Sequence, residues 1–169
     1  DSEAAARFDV ATLTLALEPL ANERITPPLQ ETLPVANWYR NEQPTLAGAP
    51  LSLEPYEMAY SCAVCPGTDR FVLGTETFLR TFDATGELLW KRHTRVARAV
   101  NVTGDGRLVV GAFSDGTIRW YRMKDGTELL AFFPLTDRKN WVCWTPEGYY
   151  AATPGAHGVL RWHVNRGWD

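Results

Sequence analysis

Cysteine and histidine are the side chains of this sequence best suited to nucleophilic, redox or metal chemistry. Cys62 and Cys65 form a Cys-x-x-Cys pair, a spacing found in many redox and metal sites. Both lie in an apolar run that predicts a strand, where positions i and i+3 face opposite sides of the sheet. We therefore interpret them as two buried structural thiols. Because three cysteines are too few for a disulfide-stapled secreted scaffold, a reducing, cytoplasmic compartment is favoured.

No other pattern supports a catalytic centre or a cofactor. Cys143 lies between Val142 and Trp144 in a predicted core strand, without the Gln-Ala-Cys-x-Gly context of a caspase-type nucleophile. The three histidines do not stand at zinc-ligand spacing, and no Gly-x-Ser-x-Gly, His-Glu-x-x-His or phosphate-binding glycine loop occurs. We expect no catalytic residue, no metal site and no cofactor.

The composition of the chain limits the classes of protein and of partner that remain. The chain has 169 residues, of which 45% are hydrophobic and 22% charged, so it is long enough for one domain with a buried core. Its net charge of −3 implies no basic surface for nucleic acid, and no apolar run approaches the length of a membrane helix. We expect neither nucleic acid nor membrane as a partner.

Short apolar runs separated by glycine, proline and aspartate predict an all-β chain of antiparallel hairpins. Turns are predicted at 104–106, 114–116, 124–126 and 146–148, where Asp-Gly or Glu-Gly supplies positive φ angles. The predicted strands fall into groups of four, four and three: Met58–Cys65, Arg70–Gly74, Thr77–Phe82 and Glu87–Lys91; Ala97–Thr103, Arg107–Ala112, Thr117–Met123 and Glu128–Phe133; Trp141–Thr145, Tyr149–Ala152 and Val159–Asn165.

The three groups repeat along the chain at a nearly constant offset. Thr103 and Thr145, Gly116 and Gly158, and Trp120 and Trp162 each differ by 42. Copies of a four-stranded unit at such a period are typical of β-propeller blades, predicted here at 56–93, 94–135 and 136–169. Residues 1–55 are predicted to hold a remnant blade strand, a Pro-rich connector and a hairpin.

An apolar–Arg pair recurs in the third strand of each unit. It stands at Leu79-Arg80, Ile118-Arg119 and Leu160-Arg161. We expect the apolar residue to enter one inter-blade layer. The arginine stem should lie on an aromatic ring such as Phe82, Tyr121 or Trp162.

The segment Ser114–Tyr121 resembles the third-strand signature of WD-repeat propellers. Phe82-Asp83 stands where the Trp-Asp dipeptide would fall, and Phe8-Asp9 is similar to the same element of an earlier blade. Asp115 matches the turn aspartate of the family's structural hydrogen-bond network, although its usual histidine partner is missing. The resemblance implies a partial β-propeller of about three degenerate, WD-like blades plus the N-terminal remnant.

A narrower resemblance covers 37–167. This part is similar to the last part of the propeller in bacterial proteins that couple WD repeats to a caspase-like peptidase. The segments that carry it are Asn37-Trp38, Pro44–Leu51, Leu53–Glu57, Trp141–Tyr150 and Trp162–Gly167. The resemblance implies a non-catalytic interaction or regulatory scaffold, with any peptidase activity in a separate domain.

Two alternatives stay open at this point. Gly86–Lys91 resembles the Gly-x-x-x-Trp docking element of quinoprotein propellers, but the position we take as equivalent after Gly126 is Ala131. A propeller with an unrelated binding role is the other alternative. We also expect the chain to be the C-terminal part of a larger propeller, whose open blade face self-associates or binds the missing blades.

The sequence indicates a recognition surface only through general propeller anatomy. Propellers bind partners at loop rims and at the channel mouth, and aromatic residues with arginine dominate binding hot spots. On that basis the candidate partner-binding residues are Arg95, Arg98, Lys139 and Trp141, near the predicted starts of inner strands.

Overall fold

A computed structural model describes residues 6–17, 27–29 and 32–160, and this part of the chain is all-β. Its strands are β1 (Arg7–Asp9), β2 (Thr14–Ala16), β3 (Val35–Ala36), β4 (Thr45–Leu46), β5 (Ala49–Pro50), β6 (Ala59–Val64), β7 (Arg70–Thr75), β8 (Phe78–Asp83), β9 (Leu88–His93), β10 (Ala97–Val102), β11 (Leu108–Phe113), β12 (Ile118–Arg122), β13 (Glu128–Pro134), β14 (Trp141–Trp144) and β15 (Tyr150–Ala152). A short 3-10 helix, Pro154–Val159, follows β15.

The strands form four antiparallel sheets. The first sheet has the order β6-β7-β8-β9, and the second sheet has the order β10-β11-β12-β13-β14-β15. Two smaller units are the three-stranded sheet β3-β4-β5 and the hairpin β1-β2. Within each sheet every strand pairs with its neighbour in sequence, as expected for a chain built of consecutive hairpins.

The first two predicted groups of four strands are confirmed, but the third group is not a separate sheet. Strand β14 pairs with β13, with Phe132 opposite Cys143, so the third group extends the second sheet to six strands. The strand predicted at Val159–Asn165 is wrong at its start, because Val159 ends the 3-10 helix. Pro154 supports that helix, since proline suits a first helical position. The rest of that strand and Trp162 lie outside the described residues.

The predicted turns occur, with positive φ at the glycine alone. Gly106, Gly116 and Gly126 have φ of 69°, 83° and 68°, whereas the aspartates before them keep negative φ. Each aspartate instead accepts hydrogen bonds from its own turn: Asp115 Oδ1 accepts from the Thr117 amide at 3.0 Å. Glycine thus supplies the left-handed residue and aspartate closes the turn.

The first and second sheets pack face to face on one core cluster. Val72, Leu79 and Trp90 from the first sheet meet Val109 and Tyr121 from the second. At the outer end Trp90 Nε1 donates to the Met123 carbonyl at 2.8 Å. A Cβ on Gly126 would stand 2.6 Å from the Trp90 ring, so this turn needs glycine for both space and conformation.

The Trp90 contact does not recur in the second sheet. In the first sheet, Thr81 follows the Leu79-Arg80 pair and lies opposite Trp90. In the second sheet, Trp120 follows the matching Ile118-Arg119 pair and lies opposite Leu130. Leu130, rather than Ala131, is therefore the structural equivalent of Trp90. Since neither Leu130 nor Ala131 is a tryptophan, the repeated docking element of quinoproteins is missing at this position.

The two smaller units cover the outward faces of the two main sheets. Leu46 and Leu51, in and beside the three-stranded sheet, join Phe71 and Phe82 in a second cluster. On the far side, Phe8 of the β1-β2 hairpin stacks on Phe132 with ring centroids 4.0 Å apart. The hairpin therefore covers the far face of the second sheet, which we expected to be open, along β12 to β15. On β11 of the same sheet, Leu108 and Val110 stay half-buried.

Arg80 and Arg119 lie on different aromatic rings from those expected, and each binds carboxylates, whereas Arg161 lies outside the described residues. The Arg80 guanidinium carbon stands 4.9 Å from the Phe78 ring centre, and that of Arg119 stands 5.7 Å from Phe113. Phe78 and Phe82 each lie two residues from Arg80 and so share its face of the strand, but the guanidinium lies over the Phe78 ring. Arg119 also binds Asp115 at 3.0 Å.

Candidate functional site

A groove lies where the inner strands of the two main sheets meet, β6 and β10. The hydroxyl of Ser61 donates to the Ala97 carbonyl at 2.7 Å and joins the two strands beneath it. The groove encloses about 260 Å³. It is lined by Pro28, Trp38, Tyr39, Tyr60, Ser61, Cys62, Arg98, Ala99 and Val100, and we call this surface the aromatic–arginine groove.

One wall of the groove is a strained turn that presents two aromatic rings. Asn37 and Arg40 have φ of 55° and 52°, and they bracket Trp38 and Tyr39. Positive φ in residues other than glycine costs free energy and persists only where surrounding contacts impose it. Here the Arg40 amide donates to the Ala59 carbonyl at 2.8 Å, which ties the turn to β6. The backbone is thus fixed so that Tyr39 stays 65% exposed.

Tyr60 and Arg98 also line the groove. The Arg98 guanidinium carbon stands 5.5 Å from the Tyr60 ring centre, a cation–π distance. Among the described residues, Arg98 forms no salt bridge, and neither the Trp38 indole N–H nor the Tyr39 and Tyr60 hydroxyls form a hydrogen bond. The groove therefore offers ring surface together with several unused donors.

The four residues predicted from the sequence to bind a partner do not come together. Arg98 lies in the aromatic–arginine groove, whereas Arg95 borders another depression with His93 and Arg119. Lys139 is exposed in the turn before β14, where its amide donates to Asp137 Oδ1 at 2.9 Å.

Trp141 is placed in the core rather than at a binding surface. It is only 6% exposed and meets Phe8 edge-on at 5.0 Å. Its position at the start of β14, facing the β1-β2 hairpin, buries the ring. It is therefore not available as the aromatic anchor that we expected.

Sequence reasoning missed Trp38, Tyr39 and Tyr60. They lie far from Arg98 along the chain, and nothing local marks the four residues as one surface. The one usable signal was composition: Trp38-Tyr39-Arg40 sets two aromatic residues and an arginine together in a segment without strand alternation.

A second depression is apolar and lies at the far edge of the second sheet. It encloses about 220 Å³ between Leu130, Trp144, Tyr149 and Tyr150. None of the described residues that line it is charged, and Tyr149 is 77% exposed at its rim. We favour the aromatic–arginine groove as the candidate site because it combines rings, a cation and a strained presenting turn.

All three cysteines are buried thiols, and Cys62 and Cys65 belong to different core clusters. Cys62 packs with Leu46 and Phe71, whereas Cys65 packs with Val100 and Val109, which confirms that the two sulfurs diverge. Burial raises the pKa of Cys62 to about 12 and also raises the pKa of Cys143. A thiol with a raised pKa is a poor nucleophile near neutral pH, because the thiolate is the reactive form.

We expect all three thiols to resist alkylation in the folded protein. At pH 7.5 iodoacetamide should label them at least about 100-fold more slowly than in denaturant, because labelling requires opening of the core. Intact-mass spectrometry over time measures this, with glutathione as the exposed-thiol control. One rapidly labelled thiol that disappears in Cys143→Ser would contradict the structural role of Cys143.

The described ranges hold neither a metal cluster nor a membrane-spanning helix. Within residues 6–17, 27–29 and 32–160, no three His, Cys, Asp or Glu side chains cluster closely enough to hold a metal ion. No helix in this part of the chain is long and apolar enough to cross a membrane.

Comparison with known proteins gives no family. No protein-family model and no curated protein matches the chain. Among solved structures, the computationally designed Ika8 protein is 15% identical with a TM-score of 0.47, and 69% of this chain spans 44% of that one. The computationally designed Ika4 protein is 14% identical with a TM-score of 0.41, over 61% of this chain and 94% of that one.

Proposed function

We propose that this chain is a non-catalytic protein-interaction and regulatory scaffold. In this proposal it is part of a WD-like β-propeller, joined in its parent protein to a caspase-like peptidase. The WD-like repeat spacing, the face-to-face packing of the two main sheets and the Asp115–Arg119 turn network support the propeller part. The link to a peptidase rests on the resemblance of 37–167 alone.

The observation that carries the binding role is the aromatic–arginine groove. Tyrosine, tryptophan and arginine are the residues that most often dominate protein-binding energy. Here they surround one concave surface while their polar atoms have no partners among the described residues. A rigid, partly exposed ring with an unused donor loses little entropy on binding, which suits recognition of a protein segment.

The proposed compartment and partners follow from the same features. Three buried cysteine thiols agree with a reducing, cytoplasmic environment. The proposed partners are a protein segment in the groove and further propeller blades against the part of the far face at Leu108 and Val110, which the hairpin leaves half-buried. Neither proposal includes nucleic acid, a membrane or a cofactor.

Peptide selection tests the binding role without a known partner. A random peptide library displayed on phage is selected against the whole chain, and the recovered peptides are titrated by fluorescence anisotropy. We expect Tyr60→Ala and Arg98→Gln each to weaken binding at least about ten-fold, as loss of a hot-spot residue does.

Matched controls keep this test specific. Tyr149→Ala removes another exposed tyrosine, and Arg107→Gln removes another exposed arginine, both outside the groove. We expect them to leave affinity within about two-fold, as surface changes away from an interface do. Equal losses in the controls and the groove variants, or peptides that bind all variants equally, would overturn the proposed function.

A further inference from the structure

We infer that the aromatic–arginine groove recognises a proline-containing segment in an extended, polyproline-like conformation. This inference rests on the proposed function and names its ligand class. A groove of about 260 Å³ is smaller than the roughly 300–1,000 Å³ typical of small-molecule sites. It has room for one or two side chains of a peptide lying across it.

The polar atoms of the groove select a ligand that accepts hydrogen bonds. The Trp38 indole N–H and the Arg98 guanidinium can only donate, and the Tyr39 and Tyr60 hydroxyls can donate as well. All four are without a hydrogen-bond partner among the described residues. A proline segment offers backbone carbonyls and lacks N–H groups at proline, so it satisfies these donors without adding unpaired donors of its own.

The ring surfaces of the groove select the same ligand. Trp38 and Tyr39 meet edge-on with centroids 6.0 Å apart, so they present faces in two directions. Tyr60 adds a third aromatic ring to the lining. Aromatic-lined grooves of this kind bind extended proline segments, because the proline ring fills the space between aromatic faces and the segment is already ordered before binding.

The chain itself places a proline against this surface. Pro28 is half-buried and lines the groove beside Trp38 and Tyr60. The proline that follows Pro27 disfavours helical backbone at Pro27 and favours an extended conformation there. The Leu29 carbonyl accepts a hydrogen bond from the Val64 amide at 2.5 Å, which holds this segment along β6. A proline ring of the chain itself therefore already lies beside the aromatic rings that we propose to bind a proline segment.

The probe for this inference is the peptide acetyl-Gly-(Pro)₆-Gly-amide, compared with acetyl-Gly-(Ala-Gln)₃-Gly-amide. Binding to the whole chain is followed by ¹H–¹⁵N NMR at the Trp38 indole signal, assigned by its loss in Trp38→Phe. We expect a saturable shift with the proline peptide and at least about five-fold weaker binding of the other peptide.

Three variants locate the binding. Titrations of Trp38→Phe, which keeps a ring but loses the donor, are read from backbone amides and should show about three- to ten-fold weaker binding. Tyr60→Ala should weaken binding at least about ten-fold, and the control Tyr149→Ala should change it less than about two-fold. Thermal unfolding of each variant is followed by circular dichroism to identify any variant that does not fold. Arg98→Gln replaces such a variant in the titrations.

The outcomes separate this inference from the proposed function. Equal binding of the two peptides, no shift at Trp38, or equal weakening by Tyr149→Ala would overturn the proline inference. If selected peptides without proline still depend on Tyr60 and Arg98, the proposed function stands and the ligand class is wrong. If selected peptides ignore both residues, the proposed function itself fails.

Discussion

Replacing Arg80 with methionine is expected to lower the free energy of unfolding by about 3–5 kcal/mol, because it leaves a buried carboxylate without its cation. Arg80 and Glu57 are 2% and 3% exposed. Arg80 Nε donates to Glu57 Oε1 at 2.9 Å and Nη2 donates to Oε2 at 2.5 Å. Glu57 also accepts from the Thr75 hydroxyl and from the Glu54 amide, so the whole carboxylate is bonded.

Urea unfolding followed by circular dichroism measures this loss. The matched control is Arg119→Met, which removes the corresponding arginine of the second sheet from an ion pair in which it is 27% exposed. We expect that control to cost about 0–1 kcal/mol, as exposed pairs do. Glu57→Leu combined with Arg80→Met should recover about 2 kcal/mol, because no charge is then left unpaired. Equal losses for Arg80→Met and Arg119→Met would contradict this account.

The same pair makes stability depend on acid. Burial alone raises the pKa of Glu57, but hydrogen bonds from Arg80, Thr75 and the Glu54 amide together hold it below its ordinary value of 4.5. A lowered pKa in the folded state means that the carboxylate contributes stability above pH 4.5 and loses it as the pH falls further. The melting temperature should therefore decrease as the solution is acidified through this range, and the decrease should be smaller in Glu57→Gln.

How much of the fold and of the candidate site could be predicted from the sequence depends on how far apart along the chain the interacting residues lie. The turns were predictable because Asp-Gly closes a turn with its own side chain and backbone, as at Asp115-Gly116. The two groups of four strands followed, since each turn fixes the strands on both sides. These features need no information from distant residues.

The merging of the third group into the second sheet was not predictable in this way. A chain that returns after β13 can start a new sheet or pair with β13, and both choices preserve the same turn residues. The pairing of Phe132 with Cys143 decides it, and it places Trp141 opposite Pro134 under the N-terminal hairpin. Because that hairpin comes from the other end of the chain, the local sequence pattern around Trp141 did not indicate that the hairpin covers it.

The candidate site shows the same limit. Arg98 was predicted as a recognition residue from its place near the start of an inner strand. Its partners in the groove are Pro28, Trp38 and Tyr60, which precede the first sheet or open it and so are distant from Arg98 in the sequence. Glu57 and Arg80 likewise are 23 residues apart. Pairwise contacts at such separations are set by sheet packing, which the repeat pattern alone does not specify.

Trp141→Ala is expected to cost about 3–5 kcal/mol in unfolding free energy, as deletion of a large buried aromatic side chain does. Its ring lies 6.1 Å from Phe132 and 5.0 Å from Phe8, so it joins the second sheet to the hairpin. Urea unfolding measures the loss, with Tyr149→Ala, an exposed aromatic, as the control expected within about 0.5 kcal/mol.

A double-mutant cycle with Phe8→Ala tests whether the hairpin covers Trp141. We expect a coupling of about 0.5–1.5 kcal/mol, the range of aromatic pairs in contact. The same variants are titrated with the peptides selected against the whole chain, because a recognition role of Trp141 predicts loss of peptide affinity without loss of stability. If Trp141→Ala leaves stability unchanged but abolishes peptide binding, Trp141 is a partner-binding residue and the packing of β1-β2 on the second sheet is wrong. Loss of stability with peptide affinity retained assigns Trp141 to the core.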